Sequence, residues 1–239
     1  MAAENLMKLF TKDDARLFSY IVAYDGGSAP NPENNLCTLA ICKPQIRSVA
    51  KVGDVIVGLD TSPSNNRVVY CMIVNEKVTW EKYVQKCKSD PKFMNRIPKG
   101  KMDTGDCIWD EIISAESMKA KPSWSEHDGN DYSVDVIQGK NVLISSQFWY
   151  FGKGDKYEIK LPEEIIKIIP GRGHRSNANH EFREKFADFW LKKMEEIGVL
   201  PFGKYGTAKF APSENEVESS ACSSCRQLAK ENEHFGESE

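Results

Sequence analysis

Cys42, Lys43 and Arg47 stand together between two apolar runs, Leu36-Cys37-Thr38-Leu39-Ala40-Ile41 and Val52-Gly53-Asp54-Val55-Ile56-Val57-Gly58-Leu59. Cations beside a strand end can hold a phosphate, and arginine does so with two parallel bonds. A thiol beside a lysine is also a candidate nucleophile, because a nearby positive charge favours the thiolate. The structural alternative has Cys42 buried, Lys43 solvated and Pro44 ending the strand. No Cys-His spacing in the sequence marks a protease-like pair.

Three further groups carry possible chemistry. Phe148-Trp149-Tyr150-Phe151 places four aromatics in a row before Gly152-Lys153. Alternate strand residues point to opposite faces, so one pair needs a surface other than the core. A stacking pocket for a flat base is one such surface, with Tyr150 offering a polar edge. Gly171-Arg172-Gly173-His174-Arg175 combines flexible backbone with cations and a possible acid/base imidazole. Tyr24-Asp25 with Asn31 closes an apolar run at a Gly-rich loop. There Asp25 either accepts from a base amino group or shapes an Asx turn. Cys222-Ser-Ser-Cys225, with His234 beyond it, supplies at most three of the four ligands zinc prefers. Incidental thiols in a tail are the simpler account. Trp124 lies in a polar segment beside His127 and is a candidate lid.

Strands are expected over 19–24, 36–42, 54–59 and 67–74, and again over 107–109 and 141–151. Thr79 is a candidate cap for a helix over 80–88, with Trp80, Tyr83, Val84 and Cys87 on one face. Leu161-Pro162 opens a short helix. A second amphipathic helix runs from about Asn179 to Ile197, with Phe182, Phe186, Phe189, Trp190 and Met194 as its stripe. The order of elements suits a mostly antiparallel sheet or small barrel rather than βαβ units.

The chain has 239 residues and a formal net charge of −3. Residues 213–239 hold seven acids against two bases, which leaves a slightly basic body. Two parts are expected: a domain over 1–205 and an acidic, mobile tail over 206–239. Such a body attracts nucleic acid only through a local cluster. No run of 18 apolar residues and no basic-then-apolar leader is present. Seven cysteines, mostly in apolar settings, fit a reducing, cytoplasmic compartment. The absence of GxxxxGK[ST], GxGxxG and HExxH argues against a P-loop hydrolase, a dinucleotide enzyme and a zincin.

Ordered motifs then carry a resemblance. They are Tyr24-Asp25, Ala29-Pro30-Asn31, Cys37-x-Leu-Ala-x-Cys42-Lys43-Pro44-x-Ile46-Arg47, Val52-Gly-Asp-x-Ile-Val-Gly58, Val142-Leu143, Phe148-x-Tyr150-Phe151-Gly152 and Gly173-His174-Arg175. Over roughly 19–197 the chain resembles the nucleotide-modification-associated domains of the second type, in the PUA-like superfamily. The resemblance implies an α+β fold, a PUA-like mixed β-barrel with flanking helices, and an association with modified bases in nucleic acid.

The favoured expectation is a binder of a nucleotide or modified base, with no cofactor, no metal and no membrane. Tyr24, Trp149 or Tyr150 would stack on the base. Asp25 or Asn31 would read its edge, Lys43, Arg47 and Arg175 would hold phosphate, and His174 would donate to phosphate or serve as acid/base. The rival is an enzyme on the same ligand, with Asp25 or His174 as base and Lys43 stabilising charge. A third possibility is an adaptor that takes a protein partner through residues 213–239.

Overall fold

The computed structural model describes residues 3–12, 14–61, 66–109, 119–154, 156–171, 173–199 and 202–210. The tail motif Cys222-Ser-Ser-Cys225, the proposed adaptor segment and Arg172 lie outside the described residues.

Two sheets organise the fold. The larger contains β1 (Leu17–Ile21), β3 (Val55–Leu59), β4 (Val68–Ile73), β7 (Gln147–Tyr150), β8 (His174–Arg175) and β9 (Gly203–Lys204), ordered β8-β1-β3-β4-β7-β9. The smaller contains β2 (Cys37–Leu39), β5 (Glu76–Thr79) and β6 (Asn141–Ser145), ordered β2-β6-β5. Pairing is antiparallel except between β1 and β3 and between β7 and β9.

The fold is thus α+β, but among the described residues neither sheet closes into the expected barrel. The reason lies at two corners. The chain leaves the large sheet at Val74-Asn75, between β4 and β5, and joins it at Ser146, between β6 and β7. Asn75 Oδ1 accepts from the Ser146 amide at 2.8 Å, and Ser145 Oγ donates to the Ile73 carbonyl at 2.6 Å. These bonds fasten the corners together, and the strands on either side belong to different sheets.

Three buried layers follow. The first face of the large sheet meets α1 (Ala3–Phe10) and α4 (Arg183–Glu196), and Trp149 and Phe151 pack there with Phe10, Phe186 and Trp190. The second face, with Phe18, Tyr20, Tyr70, Phe148 and Tyr150, meets Cys37, Leu39 and Leu143 of the small sheet. Ile46 of α2 (Pro44–Val49) joins this layer. The outer face of the small sheet packs on α3 (Trp80–Ser89) and on Phe93 and Trp109. Each such aromatic contributes about 1.5–3 kcal/mol by leaving water.

Both pairs of the aromatic run are therefore core. Trp149, assigned above to a base pocket, is fully buried on the helix side, 5.6 Å from Trp190. α3 begins as expected, with Thr79 Oγ1 accepting from the Lys82 amide at 3.4 Å. The helix expected from Asn179 starts as a 3-10 turn over Asn177–Phe182 before α4. Cys107-Ile108-Trp109, expected as a strand, is irregular but buried. Residues 206–210, assigned above to the tail, return to the domain: the Phe210 amide donates to the Asp25 carbonyl at 3.0 Å.

Candidate functional site

A narrow cleft opens where the chain beyond β1 passes the chain beyond β2. Tyr20, Tyr24 and Trp124 are its aromatic walls, and Ala29 and Ile41 give apolar floor. Its polar groups are Ser28, Cys42, Lys43, Ser125 and His127. Gly26 makes the narrow wall possible: a Cβ there would stand 2.9 Å from the Tyr24 ring and 3.2 Å from Trp124.

Backbone geometry at the cleft edge is unusual. Cys42 and Lys43 are consecutive non-glycine residues with φ of 58° and 44°. That region is disfavoured for L-residues with a Cβ, and such strain persists only where surrounding bonds over-determine it. Those bonds are present. The Cys42 amide donates to Asp135 Oδ1 at 2.8 Å, and the Cys42 carbonyl accepts from Arg47 Nε at 2.6 Å. Arg47 also donates to the Asn141 carbonyl at 2.8 Å and to Asp135 Oδ1 at 3.4 Å. Asp135 sits in a π-helical turn, Ser133–Gln138. Its Oδ2 accepts from Trp109 Nε1 at 3.2 Å.

His127 completes this cluster. Its Nε2 lies 3.8 Å from Cys42 Sγ and 3.5 Å from Asp135 Oδ2, while Nδ1 faces the Ser125 carbonyl at 3.2 Å. A carbonyl can only accept, so Nδ1 carries the proton in the neutral ring and the Nε2 lone pair faces the thiol. Arg47 and Asp135 are both essentially unexposed, so their charges offset each other inside the protein.

A second cleft is lined by Lys43, Pro44, Ile46, Val134, Gln138 and His174. Lys43 is common to both, and its ammonium sits 4.9 Å from the centre of the Tyr20 ring. His174 stacks on Phe18 with 6.2 Å between ring centres. Burial first, and the Lys43 charge second, hold its pKa below the ordinary histidine value.

The sequence candidates therefore part company. Tyr24 and Lys43 line the first cleft, and Lys43 and His174 the second. Six others line neither. Asp25 is buried and accepts from Tyr150 Oη at 2.7 Å and the Lys153 amide at 2.9 Å. Burial raises its pKa, against those two bonds. Tyr150 is spent on that contact. Asn31 is buried, and its amide donates to the Thr104 carbonyl at 3.0 Å. Arg47 is fully buried and cannot hold a phosphate at the surface. Trp149 is in the helix-side core. Arg175 is half-buried on β8, where its Nε meets Asn179 Oδ1 at 3.3 Å. Tyr24 also has one ring face covered by Phe210, at 4.7 Å between ring centres. Trp124, expected as a lid, does stand at the mouth, and its Nε1 donates to the Phe210 carbonyl at 2.5 Å.

A family model described as nucleotide modification associated domain 2 matches residues 14–203. The chain belongs to that family. The matched span of this nucleotide modification associated domain contains every residue lining both clefts. No curated protein and no solved structure matches the chain.

His127 and Asp135 were not singled out by the sequence as partners of Cys42. A carboxylate within Val134-Asp135-Val136-Ile137 was the available signal, since an acid amid apolar residues asks for a buried partner. Among the described residues, no group of three or more His, Cys, Asp or Glu side chains could hold a metal ion. No described helix is long and apolar enough to cross a membrane.

Proposed function

We propose that this domain binds a nucleobase, carried on a nucleotide or a nucleic-acid strand, in the cleft between Tyr24 and Trp124. The observation that carries this reading is Ser28. Its side chain is 96% buried at the cleft, and its Oγ has no hydrogen-bond partner. A buried hydroxyl without a partner costs about 1–3 kcal/mol, which the polar edge of a bound base would relieve. The aromatic walls suit the flat face of the same ring. Lys43 stands at the rim, where a phosphate would follow. The family and the PUA-like kinship suggested by the motifs agree with a ligand of this kind.

The reading moves the base site away from Trp149 and Tyr150, and it narrows the electrostatics. Arg47 is buried and Arg175 lies outside the cleft, so Lys43 is its lining cation among the described residues. Binding to a single strand should then show a shallow salt dependence, with log K falling by about 0.7 per unit of log salt for one contact.

The test is a titration of the full chain with nucleoside monophosphates and short oligonucleotides bearing unmodified and modified bases, followed by tryptophan fluorescence. Trp124→Ala should weaken binding by about 1–3 kcal/mol, roughly five- to 150-fold, with little change in stability. Ser28→Ala should weaken binding while leaving the fold intact. If none of these ligands is held, or if Trp124→Ala binds as tightly as the parent, the cleft is not a base site.

A further inference from the structure

We propose that Cys42 is the nucleophile of a covalent step in this same cleft, with His127 as its proton acceptor and Asp135 as the residue that positions both. The inference rests on the cleft being a base site, and it assigns that site a chemistry: addition of a thiol to a C=N carbon of the bound ring.

The geometry supports each part. Cys42 and Ser28, whose buried hydroxyl has no hydrogen-bond partner, are lining residues of the same cleft, so the nucleophile and a group that calls for a ligand lie at one site. The Ser125 carbonyl keeps the neutral ring's proton on Nδ1, which leaves Nε2 to take the thiol proton across 3.8 Å. Once Nε2 is protonated, Asp135 Oδ2 at 3.5 Å can accept from it. The cluster then holds two neutral pairs, Arg47 with Asp135 and imidazolium with thiolate, and neither adds net charge to a buried place. Lys43, the next residue, adds a cation at the same edge. Tyr20 also senses Cys42, and Asp131 also senses His127.

The strained backbone has a purpose in this scheme. The left-handed conformation at Cys42 is fixed from both sides, its amide by Asp135 and its carbonyl by Arg47. A thiol on a free strand end would sample several directions. This one is fixed at a cleft wall, as a nucleophile must be.

The step balances without a further reagent. The thiol proton passes to His127 Nε2, and a sulfur electron pair forms an S–C bond to the C=N carbon. The π pair of that bond moves to its nitrogen, which takes the proton from Nε2. Reversal restores thiol and base. The other described cysteines are poor candidates. Cys37 and Cys71 are buried in the core and burial raises their pKa. Cys87 lies half-buried on α3, away from both clefts.

Iodoacetamide labelling of the folded full chain, read peptide by peptide by mass spectrometry, tests the proposal with Cys87 as internal reference. The S–C bond formed there releases iodide and sends the thiol proton to His127 and then to water. Cys42 should react faster than Cys87 although it is the more buried. His127→Gln should slow Cys42 by about tenfold or more and leave Cys87 unchanged. Should that variant fail to fold, the parent's pH profile decides. Reaction at Cys42 must then persist at pH values where Cys87 has already slowed. A Cys42 that labels no faster than Cys87 at any pH overturns the proposal, and so does a folded His127→Gln protein with parental Cys42 reactivity. Nucleotide binding without fast labelling sinks the nucleophile and leaves the base site standing. Fast labelling that no nucleotide slows supports the activated thiol but removes the base as its substrate.

Discussion

Two buried polar clusters flank the first cleft, and they are built from similar parts. One gathers around Asp25, with Tyr150, Lys153, Asp60 and Arg67. The other gathers around Asp135, with Arg47, Trp109, His127 and Cys42. In the first, Tyr150, Lys153 and Arg67 all donate to acceptors of the domain. Lys153 Nζ meets the Val22 and Ala23 carbonyls at 3.1 and 3.0 Å and Asp60 Oδ1 at 2.6 Å. Arg67 closes the set on Asp60 and on the Lys153 carbonyl. In the second, the contacts at His127 are longer, 3.5 and 3.8 Å, and its thiol faces a cavity. An acid at a strand end beside an aromatic donor is thus no guide to function by itself. What separates the clusters is that the second holds a thiol and an imidazole beside the cleft and the first does not.

The largest effect that separates them is expected from Arg47→Ala. It leaves Asp135 buried with a lost counter-charge, and the Cys42 and Asn141 carbonyls lose a donor. Loss of one partner of a buried pair costs about 3–5 kcal/mol. The melting temperature should fall by about 2–4 °C for each kcal/mol in a chain of this size. Cys42 labelling should lose its preference over Cys87 at a temperature where the variant is still folded. Unchanged labelling there would mean that the two clusters do not differ in the way described.

Asp25→Ala is next. It strands the Tyr150 hydroxyl and the Lys153 amide, at about 1–3 kcal/mol for each group left buried without a partner. Denaturant titration should show this loss while Cys42 labelling stays parental. A collapse of labelling with stability largely kept would promote Asp25 to the site.

Lys43→Gly should give a gain of about 1 kcal/mol, because glycine enters the left-handed region without a Cβ penalty. The same change removes the cation shared by the clefts, so nucleotide binding should weaken and its salt dependence flatten. Stability and binding moving in opposite directions is the signature sought.

The smallest effect concerns His174. Burial and Lys43 hold its folded pKa below the unfolded value of 6.5. The unfolded chain therefore takes up this proton first as pH falls. The stability involved is complete above about 6.5 and is lost below it, down to the folded pKa. His174→Gln should flatten the rise of stability with pH just below pH 6.5. An unchanged profile would place His174 in open solvent.

Much of the scaffold was legible because its signals are local. Thr79 and the spacing of Trp80, Tyr83 and Val84 announce α3, and those three residues are its buried face. The alternation rule correctly put Phe148 and Tyr150 on one side and Trp149 and Phe151 on the other. It could not say that both sides are covered, because that depends on a second sheet reached through the corners at Asn75 and Ser146. α2 is not announced by the sequence, since a six-residue helix opened by proline has little periodicity to show. The candidate site was legible only in part. Cys42 and Lys43 stood out by type and setting, but their partners did not. His127 lies 85 residues from Cys42, and Asp135 lies 88 from Arg47. Nothing in a charge count reveals that Arg47 is buried, because burial is decided by those distant groups.

Gly139 gives this arrangement a last condition. A methyl group at that position would overlap the guanidinium of Arg47, which is held at Nε, Nη1 and Nη2 and has no room to retreat. Its own φ is ordinary, so the demand is for empty volume and not for an unusual torsion. Even Gly139→Ala would therefore act at a distance, pushing the arginine plane against the carbonyl that follows the reactive sulfur. The placement of the thiol is set, through one intervening side chain, by the absence of a single carbon atom.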